Sequence, residues 1–386
     1  MLDRSRYGVF LALCAALLLL LSACSGPQGQ SEEYRLGLME PLSSPDRFTA
    51  YLVLQERVDV LNRQGGVEVG GRKMKIRLLV EDSGGTTEKT MSAMGKLVQQ
   101  ERVSGVIGPF YSREAIPVAA ALETLRVPML TPSATNPEVT RGRTFAFRVC
   151  QLDSDQGRAL ARYAHGELGL RRAAVLYDEA DAYSSGLAGF FAEAFSTLPG
   201  GSVQKEPYPA GSTSFLKQLM RIRASGAQLL FLPNFPTDLA PQIQQARAAG
   251  FTGVLLGGDS WDTDHGFHSL PEVQGAIYST DFAPAAADPA RLAEAQAMAA
   301  KNGASLGKNA ALTLDALDLF IAAARKVGST DPVSLRSGLA SLSGFEGLTG
   351  SISFTPGSGD PVRSTCLMEI QGGKSALRAR LNPEPR

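Results

Sequence analysis

The feature that most constrains the fold is an alternation, from Glu33 onward, of short aliphatic runs with longer amphipathic segments. The short runs are rich in β-branched and aliphatic residues and are bounded by turn-forming residues, which is typical of buried strands. These strand candidates are residues 34–39, 76–81, 103–108, 127–131, 173–177, 228–232 and 254–256. Strands that alternate with helices in this way predict parallel sheets covered by helices on both faces.

The intervening segments show helical periodicity. Residues 184–197 place one apolar face at positions spaced by three or four, and residues 214–224 repeat this pattern. The strand and helix segments form two series, residues 34–144 and 173–259. A chain of 386 residues is long enough for two domains of about 150 residues each. We therefore predict an α/β protein with two domains, each built on a parallel sheet.

The last third of the chain changes character. A further strand is predicted at residues 276–282, and residues 351–371 are rich in strand-forming residues. Between them lie three helical segments, residues 289–302, 309–327 and 332–342. This order suggests that the chain returns to complete each domain in turn.

The N-terminus carries a targeting signal. Arg4 and Arg6 precede an apolar run at residues 9–21, and Cys24 follows the small residues of Leu-Ser-Ala. The run is shorter than the roughly 20 residues that a spanning helix needs, so we expect residues 1–23 to be a signal peptide. The Leu-Ser-Ala-Cys tetrad resembles a bacterial lipobox, which implies a lipid anchor on Cys24. The alternative is an ordinary signal peptide in which the cysteine has no such role. Residues 24–33 are then expected to form a flexible tether.

The remaining composition excludes some functions. The chain has 38 basic and 38 acidic side chains, so it offers no charge excess for nucleic-acid binding. After processing and lipidation, Cys150 and Cys366 are the remaining thiols. They could form a disulfide in an oxidising compartment or remain as two buried thiols.

Residues 257–268, "GGDSWDTDHGFH", are the one serious candidate for a metal or catalytic centre. A zinc site needs ligands held at fixed positions, and Gly266 between the two histidines argues against that. We expect Asp262, Asp264, His265 and His268 to form a solvated surface loop, with Trp261 at the rim of a cleft. No phosphate-loop, dinucleotide, hydrolase-elbow or zinc-protease motif is present, so we expect neither an enzyme nor a bound metal or cofactor.

Seven segments that follow the predicted strands resemble the periplasmic binding proteins of the leucine/isoleucine/valine type, which serve branched-chain amino-acid ABC transporters. They include "VIGPFYS", "VPMLTPSATNPEVT", "VLYDEADAYSSGLA" and "LGGDSWD", in the order that this family shows. The segments that carry the resemblance are residues 38–45, 62–85, 106–112, 127–140, 147–164, 175–188 and 256–262.

The resemblance implies two Rossmann-like lobes with parallel central sheets, joined by a three-segment hinge in a type I periplasmic binding fold. The crossings are expected near Cys150, near Phe282 and around residue 346. Residues 34–149 and 283–345 would then form the first lobe, and residues 150–282 and 346–386 the second.

The resemblance also implies a ligand site beyond the carboxyl ends of the strands, where open α/β sheets bind ligands. Ser112 and Thr135 match carboxylate-binding positions, although either residue could simply cap a helix. Asp259 matches the acceptor of the ligand's ammonium group, or it caps the segment that follows. Tyr183 matches an aromatic residue that closes over the ligand, or it is a packing residue. The other expected ligand-binding residues are Phe48, Tyr111, Ser133, Ala134 and Asn234.

Two departures from the family pattern leave the ligand's side chain open between leucine, isoleucine, valine and other amino acids, amides or carboxylates. Ser43 to Phe48 replace a glycine-bearing turn, and Asn234-Phe235 stand at an often aromatic position. Arg47 and Arg113 are expected near the cleft. The resemblance implies a periplasmic, membrane-anchored lipoprotein that binds a small amino acid-like ligand and acts with an ABC permease and ATPase. We expect it to act as a monomer. A ligand-sensing receptor subunit with the same fold is the alternative.

Overall fold

The computed structural model describes residues 33–263, 266–355 and 357–383. The predicted signal peptide, Cys24 and the tether up to residue 32 lie outside the described residues, as do Asp264 and His265. None of the helices in the described ranges has the length and apolar character needed to span a membrane.

The first sheet has six strands in the order β2-β3-β1-β4-β5-β6. All neighbours run parallel except β2 and β3, which form an antiparallel hairpin. In chain order the strands are β1 (Glu33–Glu40), β2 (Val67–Val69), β3 (Arg72–Asp82), β4 (Gly105–Ile107), β5 (Met129–Thr131) and β6 (Ala146–Arg148). Three helices connect them: α1 (Pro45–Arg63), α2 (Thr87–Gly95) and α3 (Ser112–Leu125).

Side chains alternate between the two faces of this sheet, as a strand's period of two requires. Leu36 and Leu38 of β1 pack in one core with Leu54 of α1. Met39 of β1 packs in another core with Ala115 of α3. The sheet is therefore buried on both faces, which is the environment that a parallel sheet needs.

The second lobe begins with β7 (Arg172–Asp178), β8 (Ser202–Tyr208), β9 (Leu229–Leu232), β10 (Val254–Gly257) and β11 (Ile277–Thr280). Its helices are α4 (Asp153–Gly166), α5 (Ala182–Thr197), α6 (Leu216–Ala224) and α7 (Pro236–Ala248). Helices α4 and α5 supply Leu160 and Phe191 to the core on one face of the sheet. Helices α6 and α7 supply Leu219 and Ile243 to the core on the other face.

The chain then returns to the first lobe. It forms α8 (Pro289–Lys301), α9 (Lys308–Val327) and α10 (Pro332–Ala340), followed by a small antiparallel sheet of β12 (Phe345–Gly347), β13 (Gly350–Phe354) and β14 (Pro361–Val362). Ile352 and Phe354 of β13 pack in the same core as Leu36, and the Phe354 ring lies 5.3 Å from the Phe147 ring. The segment that follows residue 346 therefore belongs to the first lobe up to β14, because its apolar side chains are buried there.

Two antiparallel strands, β15 (Thr365–Gln371) and β16 (Lys374–Leu381), complete the second sheet, whose order is β16-β15-β11-β10-β9-β7-β8. The three crossings between the lobes meet at Arg363. Its guanidinium donates to the carbonyl oxygens of Val149 and Asp281, the latter at 2.9 Å. In this arrangement the chain passes between the two sheets near Cys150, near Phe282 and at Arg363, whereas the resemblance placed the third crossing near residue 346.

Both cysteines of the hinge region are buried and free, so they form no disulfide with each other. Burial raises the pKa of the Cys150 thiol well above its usual range, and the neighbouring Asp281 carboxylate adds to this effect. Cys150 is therefore a protonated, packed side chain.

Candidate ligand-binding cleft

The two lobes face each other with the loops that follow their parallel strands. Between these loops lie an inner cavity of about 20 Å³ and an outer cavity of about 480 Å³. Arg47, Tyr111, Phe235 and Thr263 line both cavities. The inner cavity is the point where side chains from both lobes converge, so we take it as the centre of the candidate site.

The wall of the first lobe is built from the loops after β4 and β5. Tyr111 and Ser112 lie at the start of α3, and Ser133 follows β5. The Ser112 hydroxyl accepts a hydrogen bond from the backbone N–H of Asn136 at 3.3 Å, and the Ser133 hydroxyl donates to Oδ1 of Asn309 at 3.2 Å. A helix N-terminus carries unsatisfied N–H groups and the positive end of the helix dipole, so this wall is suited to an anion.

Arg47, in the first turn of α1, adds a buried positive charge to this wall. Its side chain is 5% exposed, and its guanidinium carbon lies 4.5 Å from the centre of the Phe110 ring and 5.4 Å from that of Tyr111. Its Nη1 is buried without a hydrogen-bond partner among the described residues. Burial raises the pKa of the nearby Glu40 carboxyl well above its usual range, and Arg47 opposes this shift in part. Arg47 thus has a donor to offer to a bound anion.

The wall of the second lobe follows β10. Ser260 accepts a hydrogen bond from the Tyr183 hydroxyl at 3.1 Å, and the Ser260 hydroxyl donates to the carbonyl oxygen of Asn234 at 2.6 Å. The backbone N–H of Asp259 donates to Gln156 at 3.0 Å. Burial raises the pKa of Tyr183 well above its usual range, and the Asp259 carboxylate raises it further. The Tyr183 hydroxyl is therefore neutral and held in place by Ser260.

A buried ion pair joins the two walls. Nζ of Lys308, at the start of α9 in the first lobe, lies 2.9 Å from Oδ2 and 2.7 Å from the carbonyl oxygen of Asp259 in the second lobe. The two side chains are 0% and 4% exposed. Burial alone would lower the pKa of Lys308, but the carboxylates of Asp259, Asp281 and Asp262 outweigh it and the pKa lies above its usual value. Lys308 is therefore an ammonium group inside the cleft.

Aromatic rings from both lobes close the space between these polar groups. The Phe235 ring packs edge-on against the Tyr111 ring with centroids 5.5 Å apart, and it lies 5.3 Å from the Tyr183 ring. Arg113 and Asp181 form an ion pair across the rim at 3.3 Å. The lobes are thus in contact at the rim of the candidate site.

The structure brings five of the nine expected ligand-binding residues to the inner cavity, namely Tyr111, Ser112, Ser133, Tyr183 and Asp259. The other four do not line either cavity. Phe48 is 43% exposed and packs against Tyr51, whereas Ala134, Thr135 and Asn234 are buried. The backbone N–H of Ala134 donates to the Thr131 hydroxyl, and the carbonyl oxygen of Thr135 accepts from the backbone N–H of Asp153. The Asn234 amide donates to the carbonyl oxygen of Leu176 and to Gln242 inside the second lobe.

Sequence reasoning did not identify Lys308, Phe235 or Ser260 as site residues. The position of Lys308 could have been recognised from the sequence, because it is the first residue of a helix. A lysine there is unfavourable next to the positive end of the helix dipole, so its presence indicates a specific partner. Phe235 and Ser260 are adjacent to the predicted residues Asn234 and Asp259. Phe235 lines the inner cavity in place of Asn234, and Ser260 lines it together with Asp259.

The expectation of a surface loop of Asp262, Asp264, His265 and His268, with Trp261 at the rim of the cleft, needs correction at Trp261 and His268. Trp261 is fully buried rather than at the rim, and its indole N–H donates to the carbonyl oxygen of Leu232 at 2.9 Å. His268 is 1% exposed and lies against Tyr278 and Ser375. The apolar core of the second lobe thus takes up these side chains. Within the described ranges, no three His, Cys, Asp or Glu side chains are grouped as metal ligands.

Comparisons with known proteins agree with this architecture. The chain is 27% identical over 304 residues to Leu/Ile/Val-binding protein homolog 3 of Brucella melitensis, which covers 77% of this chain and 80% of that protein. It is 29% identical over 205 residues to an amino acid binding protein of Pseudomonas aeruginosa, covering 53% of this chain and 54% of that protein. The match therefore spans little more than half of the Pseudomonas protein.

Solved structures share the whole two-lobed fold. A leucine binding protein from Thermotoga maritima superimposes with a TM-score of 0.82 at 27% identity, covering 90% of this chain and 99% of that one. A branched-chain amino acid transporter substrate binding protein from Streptococcus pneumoniae, in complex with isoleucine, gives a TM-score of 0.80 at 25% identity, covering 92% and 100%. These likenesses confirm the predicted fold of two lobes around parallel-dominated sheets.

The family model described as periplasmic binding protein matches residues 33–374, which include both lobes and all three crossings. The chain therefore belongs to the periplasmic binding protein family.

Proposed function

We propose that this protein is an extracytoplasmic lipoprotein that binds one amino acid, or a small carboxylate of similar size, and delivers it unchanged to an ABC permease. The observation that carries the proposal is that polar side chains of both lobes, Ser112 and Ser133 of the first and Tyr183 and Asp259 of the second, converge on one point of the cleft, next to an outer cavity of about 480 Å³. The relatives named for leucine, isoleucine and valine support a ligand of this size.

The chemistry of the first wall supports recognition of a carboxylate. Ser112 is the first residue of α3, so its hydroxyl lies beside the free N–H groups of a helix N-terminus. These N–H groups can bind a carboxylate by hydrogen bonds at the positive end of the helix dipole, without a cation as counter-ion. Arg47 lies beside them with an unpaired Nη1, which adds a charge-assisted donor.

The hinge supports capture by closure of the lobes. A ligand that contacts both walls binds the closed form more tightly than the open form. It shifts the equilibrium between open and closed forms by the difference in the two binding free energies. Arg363 bonds to the carbonyl oxygens of Val149 and Asp281 in two of the crossings, and we propose that the lobes rotate as units about this point. Anchoring through lipidated Cys24 and docking on a permease and its ATPase belong to the same proposal.

A thermal-shift screen of the twenty amino acids, small amides and short carboxylates tests this function. We expect at least one compound to raise the melting temperature of the purified protein. Ser112→Ala should then weaken binding of that compound about tenfold or more, because a hydrogen bond to a charged group contributes about 1.5–3 kcal/mol. Calorimetry gives the two dissociation constants.

Ser337 is an exposed serine on α10 that lines neither cavity. Ser337→Ala is therefore the matched control and should leave the affinity unchanged. If no compound in the screen shifts the melting temperature, the proposed ligand class is wrong.

A further inference from the structure

The ion pair across the cleft changes what the site can accept. Asp259 matches the family position expected to receive a ligand's ammonium group, yet the ammonium of Lys308 already contacts it at 2.9 Å. The other carboxylate oxygen of Asp259 accepts a hydrogen bond from Gln156 at 3.1 Å. Both oxygens therefore have partners supplied by the protein itself.

The other carboxylate that lines the cleft, Asp46 of the outer cavity, is also engaged. Its Oδ2 accepts a hydrogen bond from the Asn309 amide at 2.5 Å and lies 3.9 Å from the guanidinium of Arg47. A second ammonium brought by the ligand would lie close to Lys308 and Arg47, while Asp259 and Asp46, the carboxylates that line the two cavities, already have partners. Like charges repel more strongly in a buried site than in bulk water.

The cleft presents a positive charge, which suits an anionic ligand. Arg47 is buried, lines both cavities, and keeps Nη1 without a partner among the described residues. Ser112 and Ser133 add hydroxyls beside it. An anionic group would satisfy Arg47, whereas a buried guanidinium donor left unpaired is costly.

From this arrangement we infer that Lys308 acts as an internal ammonium group for Asp259, and that the ligand is a small carboxylate without a free α-ammonium, such as a 2-oxo or 2-hydroxy acid. The inference rests on the proposed solute-binding function and narrows its ligand class. It assigns Lys308 as the residue that determines specificity and Arg47 as the partner of the ligand's anion.

Matched pairs of compounds that differ only at Cα test the inference on the wild-type protein. We would titrate alanine against pyruvate, valine against 3-methyl-2-oxobutanoate, leucine against 4-methyl-2-oxopentanoate, and phenylalanine against phenylpyruvate by calorimetry. In every pair that binds, we expect the oxo acid to bind about tenfold more tightly or better, because its amino partner adds an unpaired cation. An amino acid that binds as tightly as its oxo acid overturns the inference while leaving the proposed function intact. If no member of any pair binds, and the wider screen also fails, both are wrong.

Lys308→Met tests the assigned residue. It frees Asp259, so we expect the preference to reverse toward the amino acid of the same pair. Lys326→Met, at the other end of α9, is the matched control and should keep the wild-type preference. A Lys308→Met protein that still prefers the oxo acid overturns the role of Lys308.

A double variant keeps the test valid if Lys308→Met alone fails to fold. Lys308→Met/Asp259→Asn removes both charges of the pair, so neither member is left without its partner. We expect it to bind the two members of a pair within about threefold of each other. Retention of the full preference in this variant contradicts the inference.

Discussion

The two walls of the cleft differ in how their polar groups are satisfied. In the second lobe, Tyr183, Ser260 and Asn234 form a continuous set of hydrogen bonds, and Trp261 bonds to β9 behind them. In the first lobe, Arg47 keeps an unpaired donor, and Ser133 lies on a loop that Arg148 holds from behind. Apart from Asp259, which takes Lys308 of the first lobe as a partner, these groups of the second wall bond within their own lobe, whereas Arg47 of the first wall keeps a donor without a partner among the described residues.

This difference assigns separate tasks to the lobes. A wall with satisfied hydrogen bonds is rigid and presents a fixed surface of rings and hydroxyls. A wall with unpaired donors gains most from a ligand, because a buried polar group without a partner costs free energy. Lys308 is the exception on the first wall, since it satisfies a residue of the opposite one. Four substitutions probe this contrast.

The largest effect is expected from Arg148→Met, which removes the support of the first wall. Arg148 is fully buried and bonds to Asp360 at 2.7 Å, to the carbonyl oxygens of Ala134 and Asn136, and to the Thr140 hydroxyl. Breaking a buried ion pair costs about 3–5 kcal/mol in the free energy of unfolding. Urea unfolding measures this loss, and the exposed Arg223→Met should change stability by less than about 0.5 kcal/mol.

A smaller effect is expected from Lys308→Met, which leaves Asp259 unpaired. The closed form should lose up to about 3 kcal/mol of stability relative to the open form. This loss is smaller than the one expected for Arg148→Met, because opening of the lobes exposes the Asp259 carboxylate to water. Small-angle scattering of the ligand-free protein should show a larger radius of gyration, and adding Asp259→Asn should reverse part of the change. An unchanged radius in the single variant would mean that this pair does not hold the lobes together.

Gly257→Ala probes the packing of the second wall. A Cβ at this position would lie 2.2 Å from Cδ2 of the buried Trp261 ring, so the ring and the loop it anchors must shift. Overpacking of this kind costs about 1–3 kcal/mol. Thermal unfolding measures it, with Gly189→Ala in α5 as the control, because a Cβ there meets no atom within 4 Å. Equal melting temperatures for the two variants would contradict a rigid second wall.

The smallest effect is expected from Arg113→Ala at the rim of the cleft. The Arg113 side chain is 39% exposed, and exposed ion pairs contribute less than about 1 kcal/mol. We expect a slight weakening of ligand affinity in low salt that disappears in high salt, where the wild-type pair is screened. A large, salt-independent loss would show that Arg113 contacts the ligand directly.

Sequence periodicity predicted the buried elements well. The predicted strand at residues 254–256 is Val254–Gly257, and the predicted helix at residues 289–302 is Pro289–Lys301. It missed the edge strands Ser202–Tyr208 and Lys374–Leu381, at opposite ends of the second sheet. An edge strand has polar and half-exposed positions, so it lacks the apolar run by which central strands are recognised.

The sequence by itself determined the two-lobed α/β architecture and the loops that form the cleft, because periodicity records which side chains must be buried. Only the tertiary structure decided which polar groups in those loops are already paired. Lys308 and Asp259 are 49 residues apart and lie in different lobes, so no local pattern connects them. Burial produces a periodic pattern of apolar residues along the chain. A hydrogen bond between two residues that are distant in the sequence depends instead on how the lobes meet.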